Sequence, residues 1–358
     1  MRAAVVIGTR PQIIKTAPVL KEAERRGLEL DVIHTGQHYD YEMSKVFFNE
    51  LDLPDPAMNL GVGSGSHGEQ TGRMLVELEK VYTELEPEVV VVPGDTNSTL
   101  AGALAAAKMR IPVAHLEAGA RSFDLGMPEE VNRRLTDHCS SVLFAVSEWC
   151  RDRLLAEGIS GDDVYLVGDT MYESIQSHVK DIEDDDVVER LGLEEPFAVL
   201  TVHRAENTDS ADRLRGIFGA LKDIDLRVVF PCHPRTRKRL EETGLLGEVE
   251  GWPHIVLVEP VNYFSMLRLV RDAEVVLTDS GGVQKEAFWL GTPCVTLRDN
   301  TEWRETVELG VNVLAGADPE KIKMSVDGFR GREREDGVNP YDFGGASRKA
   351  VEALIKRF

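Results

Sequence analysis

Short β-branched runs alternate along most of the chain with longer stretches whose apolar positions recur every three or four residues, a βαβα rhythm. In the first half the strand pattern falls at Ala3–Ile7, Leu30–His34, Glu88–Val92, Pro112–Leu116, Val142–Val146 and Val164–Val167. Helical periodicity occupies the intervals, from Pro11 to near Arg26, near Tyr41–Leu51, then at Glu69–Leu85, Ser98–Met109, Glu129–Cys139 and Glu148–Glu157. Such alternation requires right-handed crossovers and a parallel sheet covered by helices on both faces.

The rhythm resumes with strands predicted at Phe197–Val202, Leu226–Phe230, Ile255–Val258, Glu274–Thr278 and Pro293–Leu297. Between the halves the strand pattern stops, and the acidic run Asp181–Asp186 reads as a solvated helical face. The fold expected is α/β, with two doubly wound Rossmann-like domains facing across a cleft. Residues 1–170 form the first, 171–196 an acidic helical connection, 197–345 the second, and 346–358 a terminal helix expected to pack back on the first domain. No internal repeat or low-complexity segment interrupts this plan.

With 358 residues, 42% of them hydrophobic, the chain can bury two cores. It holds no apolar run of the roughly 20 residues a membrane span needs, and Met1-Arg2-Ala3-Ala4-Val5-Val6 leads directly into a strand, so a cytoplasmic protein is expected. Cys139, Cys150, Cys232 and Cys294 are too scattered for a zinc knuckle or a disulfide framework and read as reduced, packed thiols. A net charge of −21, from 62 Asp and Glu against 41 Lys and Arg, argues against nucleic acid and anionic membranes as partners. The same excess would suit a saline cytosol.

The run Asp279-Ser280-Gly281-Gly282, between a predicted strand and a helix over Val283–Leu290, has the character of a phosphate cradle. Paired glycines let the backbone approach a ligand, and the helix offers unpaired N–H groups at its positive end. Glu286 lies one turn behind Gly282, placed to accept ribose hydroxyls. A nucleotide is the expected ligand.

Other reactive side chains fall at the carboxyl ends of predicted strands, where open parallel sheets present their ligand crevice. Gly8-Thr9-Arg10-Pro11 follows the first strand, with Lys15 one turn on; Asp95, Glu117 and Glu129 follow later ones. The three carboxylates are expected to converge in a setting suited to acid/base work. Each also has a structural alternative: Asp95 as cap of the helix starting near Asn97, and Glu129 as an acid favoured at a helix N-terminus. His203 and His233 likewise sit at strand ends, suited to anion contacts or a proton relay. Arg235, Arg237, Lys238 and Arg239 read as a mostly solvent-facing run. The first turn lacks G-x-G-x-x-G, no G-x-x-x-x-G-K-[ST] loop is present, and His34, His38 and His67 are too dispersed for a metal site, so neither NAD nor a metal is expected.

Taken together, Gly8-Thr9-Arg10-Pro11 with Lys15, His34-Thr35-Gly36-Gln37-His38-Tyr39, Pro93-Gly94-Asp95-Thr96-Asn97, Glu117-Ala118-Gly119, Pro128–Arg133, His203–Asn207, His233-Pro234 and Asp279–Ala287 resemble the non-hydrolysing UDP-N-acetylglucosamine 2-epimerases over nearly the whole chain. That resemblance implies a GT-B-like pair of domains and an isomerase that needs no cofactor. It implies inversion at C2 of a UDP-linked 2-acetamido sugar, through elimination and re-addition of UDP, feeding surface polysaccharide or glycan synthesis. The expected partners are the UDP-sugar and a second copy in a homodimer. By the same resemblance Asp95, Glu117 and Glu129 look like acid/base carboxylates, and His203 like a phosphate contact and proton donor. Arg10, Lys15, His233, Ser280, Gly281, Gly282 and Glu286 look like substrate or UDP contacts. Gln37, His38, Gln70 and Arg73 fall where some bacterial members bind a second nucleotide-sugar as activator.

Two departures touch the substrate. The first helix begins Pro11-Gln12 where many members have Pro-Glu, and Thr301-Glu302 is followed by Trp303, similar to the subgroup acting on UDP-2,3-diacetamido-2,3-dideoxy-glucuronic acid. UDP-N-acetylglucosamine, the commoner substrate, is the default. A GT-B glycosyltransferase, a hydrolysing epimerase and a silent sugar-nucleotide sensor are the rival readings.

Overall fold

The computed structural model describes residues 1–37, 41–193, 196–332 and 338–358, with the backbone alone for 41–44 and 46. Two compact units emerge, one formed by residues 1–177 and 339–358, the other by 178–338. Each holds one parallel sheet.

In the first unit the strands are β1 (Arg2–Ile7), β2 (Glu29–His34), β3 (Met58–Asn59), β4 (Val89–Pro93), β5 (Val113–Ala118), β6 (Val142–Ala145) and β7 (Val164–Leu166). They lie in the order β3-β2-β1-β4-β5-β6-β7. All pairings are parallel, with Val5 opposite Val32 on one side and Val91 on the other. Val89–Val92 are wholly buried, as expected of a strand with helices on both faces. Each such side chain contributes about 1.5–3 kcal/mol of burial.

The second unit contains β8 (Phe197–Thr201), β9 (Arg227–Pro231), β10 (Ile255–Val258), β11 (Val275–Thr278), β12 (Cys294–Thr296) and β13 (Asn312–Leu314), in the order β10-β9-β8-β11-β12-β13. In both sheets the order of strands reverses beside the first one, between β1 and β4 and between β8 and β11. Crevices at such reversals are where open α/β sheets bind ligands.

The strand pattern did not predict β3 or β13. Two- and three-residue edge strands carry too few positions to display a period. The expected connection over 171–196 is also divided between the units. Met171, Ser174 and Ile175 of the helix Thr170–Ser177 are buried in the first unit. Ile182 and Val187 are buried in the second, while Asp181, Asp184 and Asp186 remain exposed. At the other end, the helix Pro319–Phe329 belongs to the second unit. The chain re-enters the first unit at Asn339, where the Tyr341 carbonyl accepts the Asp169 amide at 2.9 Å. The last helix, Ala346–Arg357, packs against the first, Arg10–Arg25, and Arg26 pairs with Glu352 at 2.6 Å.

Candidate functional site

In the first unit, the turn after β1 ends in Thr9 as N-cap of the helix Arg10–Arg25, with Pro11 in its first turn. Gln12 uses its amide in both senses. Its oxygen accepts the Gly8 N–H at 2.8 Å, while its nitrogen donates to the Pro93 carbonyl at 2.9 Å and to Thr99 Oγ1 at 3.0 Å. The carboxyl ends of β1 and β4 are thereby stapled together. Arg10 is exposed at the head of that helix, its guanidinium 5.3 Å from the centroid of Phe47.

Asp95 follows β4, but it is not the cap of the next helix. Thr96 is, in a reciprocal box with Thr99. The Asp95 carboxylate instead pairs with Arg133, and its carbonyl accepts Asn132 Nδ2 at 3.0 Å, so the helix Pro128–Cys139 fixes both ends of this residue. Glu129 occupies the first turn of the same helix and is half-buried.

Glu117 stands apart in backbone geometry. The β5–β6 register runs from Leu116 opposite Phe144 to Ala118 opposite Ala145, leaving Glu117 as the extra residue of a bulge, with φ of 69°. Bulges re-aim a side chain at a sheet end, and a left-handed non-glycine residue stores backbone strain there. The redirected carboxylate forms an ion pair with the Lys15 ammonium, and both side chains are largely buried. A Cβ on Gly94 would lie 3.3 Å from Lys15 Nζ and 3.5 Å from Glu117 Oε2, so the turn bearing Asp95 adjoins this pair. A small pocket at the pair is lined by Phe144, Val146, Gly168, Asp169 and Thr170. Lys15, Glu117 and the Asp95 turn thus meet at the strand reversal.

Gln37 and Gln70 are buried and hydrogen-bonded internally. Gln37 Oε1 accepts the Ser98 amide at 2.9 Å and its hydroxyl at 2.6 Å. Gln70 donates to the carbonyls of Gln37 and Gly63 and accepts from Asn97, whose own side-chain oxygen accepts Asn132. Arg73 is exposed beside the Ser64 carbonyl and Glu69. His38 lies outside the described residues.

In the second unit the side chain not foreseen is Asp279. Its carboxylate, wholly buried, turns back to accept the amides of His203 and Arg204 at 3.0 Å and Asn207 Nδ2 at 3.1 Å, and it lies 3.1 Å from His203 Nδ1. Burial would raise its carboxyl, but the nearby His203 and these donors outweigh that and hold it below the usual aspartate value. The turn carrying His203 is therefore clamped to the end of β11. Ser280 caps the helix Gly281–Trp289 through the Val283 amide at 3.4 Å, and Glu286 is buried one turn on. His203, Ser280, Gly281 and Gly282 are gathered around Asp279.

His233 caps the helix Pro234–Glu242, its Nδ1 accepting the Arg235 amide at 3.2 Å, which directs Nε2 elsewhere as the other polar atom of the ring. Thr236 of that helix donates to the Val202 carbonyl at 2.5 Å, tying it to the His203 turn. Trp303 is buried beside the helix Gly281–Trp289, with Lys285 Nζ 3.9 Å from its ring centroid and its Nε1 3.4 Å from where a Cβ on Gly281 would stand. Among the described residues no group of three or more His, Cys, Asp or Glu side chains could hold a metal, and no helix is long and apolar enough to cross a membrane.

A family model described as UDP-N-acetylglucosamine 2-epimerase matches residues 21–355. The chain belongs to this family. It is 46% identical to the UDP-N-acetylglucosamine 2-epimerase of Methanocaldococcus jannaschii over 99% of both chains. It is 44% identical to the UDP-2,3-diacetamido-2,3-dideoxy-D-glucuronate 2-epimerase of Pseudomonas aeruginosa, over 99% of this chain and 100% of that one. A crystal structure of the M. jannaschii UDP-GlcNAc 2-epimerase in complex with UDP-GlcNAc and UDP superposes with a TM-score of 0.94, covering 99% of this chain and 100% of that chain at 46% identity. The UDP-GlcNAc 2-epimerase of Neisseria meningitidis bound to UDP-GlcNAc gives a TM-score of 0.87 at 30% identity, over 99% of this chain and 100% of that one. The fold is thus the two-domain α/β architecture of the epimerase family, GT-B-like in its pair of parallel sheets.

Proposed function

We propose that this member of the family converts UDP-N-acetylglucosamine to UDP-N-acetylmannosamine. A carboxylate of the first unit takes the C2 proton as the bond from C1 to UDP breaks, leaving a C1=C2 glycal. UDP then re-adds to C1 while a proton is delivered to the opposite face of C2. The observation that carries this reading is the paired Lys15 and Glu117 beside the Asp95 turn, at the sheet reversal of a chain in this family. Asp95, Glu117 and Glu129 are assigned the acid/base work and Lys15 a position near sugar and phosphate. Arg10, His203, His233 and the Ser280–Gly282 helix end stabilise the departing diphosphate, with Glu286 on the ribose.

Incubation with UDP-N-acetylglucosamine in heavy water tests the proposal. Deuterium should enter C2 without any acceptor, which a glycosyltransferase or a silent sensor would not permit. Intact UDP-sugar, and not free N-acetylmannosamine with UDP, separates re-addition from hydrolysis. Asp95→Asn should abolish exchange while leaving UDP affinity nearly unchanged, because UDP is assigned chiefly to the second unit. Retained exchange with lost UDP binding would overturn these roles.

A second substrate has specific support. Trp303, buried against Gly281, and the 44% identity to the P. aeruginosa enzyme favour UDP-2,3-diacetamido-2,3-dideoxy-glucuronate as the alternative. A side-by-side product assay decides between the two. A homodimeric cytoplasmic enzyme belongs to the same reading, on likeness to the family; a monomer by light scattering would remove the first part.

A further inference from the structure

Beside the candidate acids lies a largely buried quartet of ionisable side chains that the proposed chemistry does not use. His115, on β5 two residues before Glu117, has both ring nitrogens engaged, Nδ1 with Asp137 Oδ1 at 2.7 Å and Nε2 with the Gly94 carbonyl at 2.7 Å. Asp137 Oδ2 accepts the Gly119 amide at 3.3 Å and lies 2.7 Å from Arg121 Nη1. Arg121 in turn forms a bidentate pair with Glu157, at 2.9 and 2.7 Å. The side chains of His115, Asp137 and Arg121 have no solvent exposure.

A carbonyl cannot donate, so Nε2 is the donor to Gly94, while Nδ1 faces the Asp137 carboxylate. Burial alone would raise the Asp137 carboxyl, yet His115 and Arg121 overcome it and keep the group ionised. Buried ion networks are poor stabilisers compared with apolar packing, so what this one holds in place becomes the question.

What it holds is backbone on the flanks of both acids. Gly94 immediately precedes Asp95, with φ of 68°, and Gly119 follows Glu117 by two residues, with φ of 85°. A Cβ on Gly119 would lie 2.3 Å from the Cys150 carbonyl, so that turn has no room for a side chain. We propose that His115 and Asp137 are positioning residues that lock the Asp95 turn and the Glu117 bulge in one fixed relation. The proposal rests on the acid/base roles assigned to those two carboxylates. His115 pulls on one turn and Asp137 on the other, and their mutual bond sets the spacing.

The test uses His115→Gln and the near-isosteric Asp137→Asn in the full chain, assayed by C2 deuterium incorporation, UDP binding and thermal unfolding, with amide hydrogen exchange of segments 93–97 and 117–121. Misplacing catalytic groups by a fraction of an ångström should lower kcat roughly 10- to 100-fold while KM stays within about twofold. Both segments should exchange faster in variants that remain folded. Wild-type kcat, or unchanged amide exchange, in a folded variant overturns the proposal, as does failure of both variants to fold, which would make the quartet a scaffold only. If the wild-type protein shows no C2 exchange, the functional reading fails separately, and the amide-exchange comparison still decides whether the quartet locks the two turns.

Discussion

The Lys15 ammonium reaches from the first helix to the Glu117 carboxylate, at a bulge where the backbone is left-handed. Strand alternation alone would point residue 117 elsewhere, so strain in β5 and the charge on the helix act together to place one carboxylate.

That relation predicts the behaviour of Lys15→Met, which keeps the length of the side chain and removes its charge. A preorganised cation beside developing negative charge is worth roughly 100-fold in rate. C2 exchange should fall by about that factor, and the urea midpoint should fall too, because a nearly buried carboxylate loses its partner. Exchange at the wild-type rate in Lys15→Met would remove Lys15 from the site.

Arg133 offers a contrasting case. Its side chain is almost wholly buried, pairing with Asp95 and, at 3.3 Å, with Glu130, itself without exposure. Arg133→Met removes the nearest cation from the buried Glu130 side chain, which keeps the Ser122 amide and hydroxyl at 2.9 and 3.1 Å and the more distant Arg134 at 3.8 Å. The expected cost is about 3–5 kcal/mol in urea unfolding. Arg133→Lys should recover part of the stability but less of the activity, since an ammonium lacks the fork that can serve two carboxylates at once.

Much of this architecture is legible in the chain itself, and the exceptions have physical causes. The unbroken valine run Val89–Val92 announces a buried parallel strand, and Asp279-Ser280-Gly281-Gly282 after a strand announces the helix start that Ser280 caps. The bulge at Glu117 does not show, because register belongs to the pairing with β6. Asp279 was legible only as part of the cradle. Its carboxylate serves a turn 76 residues earlier, a partnership settled by β8 and β11 lying side by side. Gln12 likewise looks like a departure from a family pattern until its amide is seen bridging two strand ends, a task that needs a donor as well as an acceptor.

The four cysteines are free, and three of them are buried. Burial pushes the Cys294 thiol up to about 12 and, together with Glu259 and against Arg237, the Cys232 thiol up to about 11. At pH 8 the Cys232 thiolate is then on the order of one part in a thousand, and the thiolate is the reactive form. Iodoacetamide should therefore modify the half-buried Cys139 first, with Cys150, Cys232 and Cys294 protected until the protein is unfolded. Mass mapping of alkylated peptides checks this order, and early labelling of Cys294 would contradict its burial.

Acid stability should report on Asp279. Because its folded value lies below the ordinary 3.8, the sign is that of a stabilising carboxylate. Its contribution is complete above the unfolded value and is lost as pH falls through the folded one. Asp279→Asn replaces an ionised acceptor of several N–H groups with an amide whose nitrogen would face donors, so the variant should be less stable at neutral pH. The gap in urea midpoint between wild type and variant should narrow as pH drops below about 4, where the unfolded chain takes up a proton at this carboxyl that the native state does not. A gap that stayed constant from pH 7 to pH 2.5 would mean the lost stability comes from packing, and the clamp on the His203 turn would then owe nothing to charge.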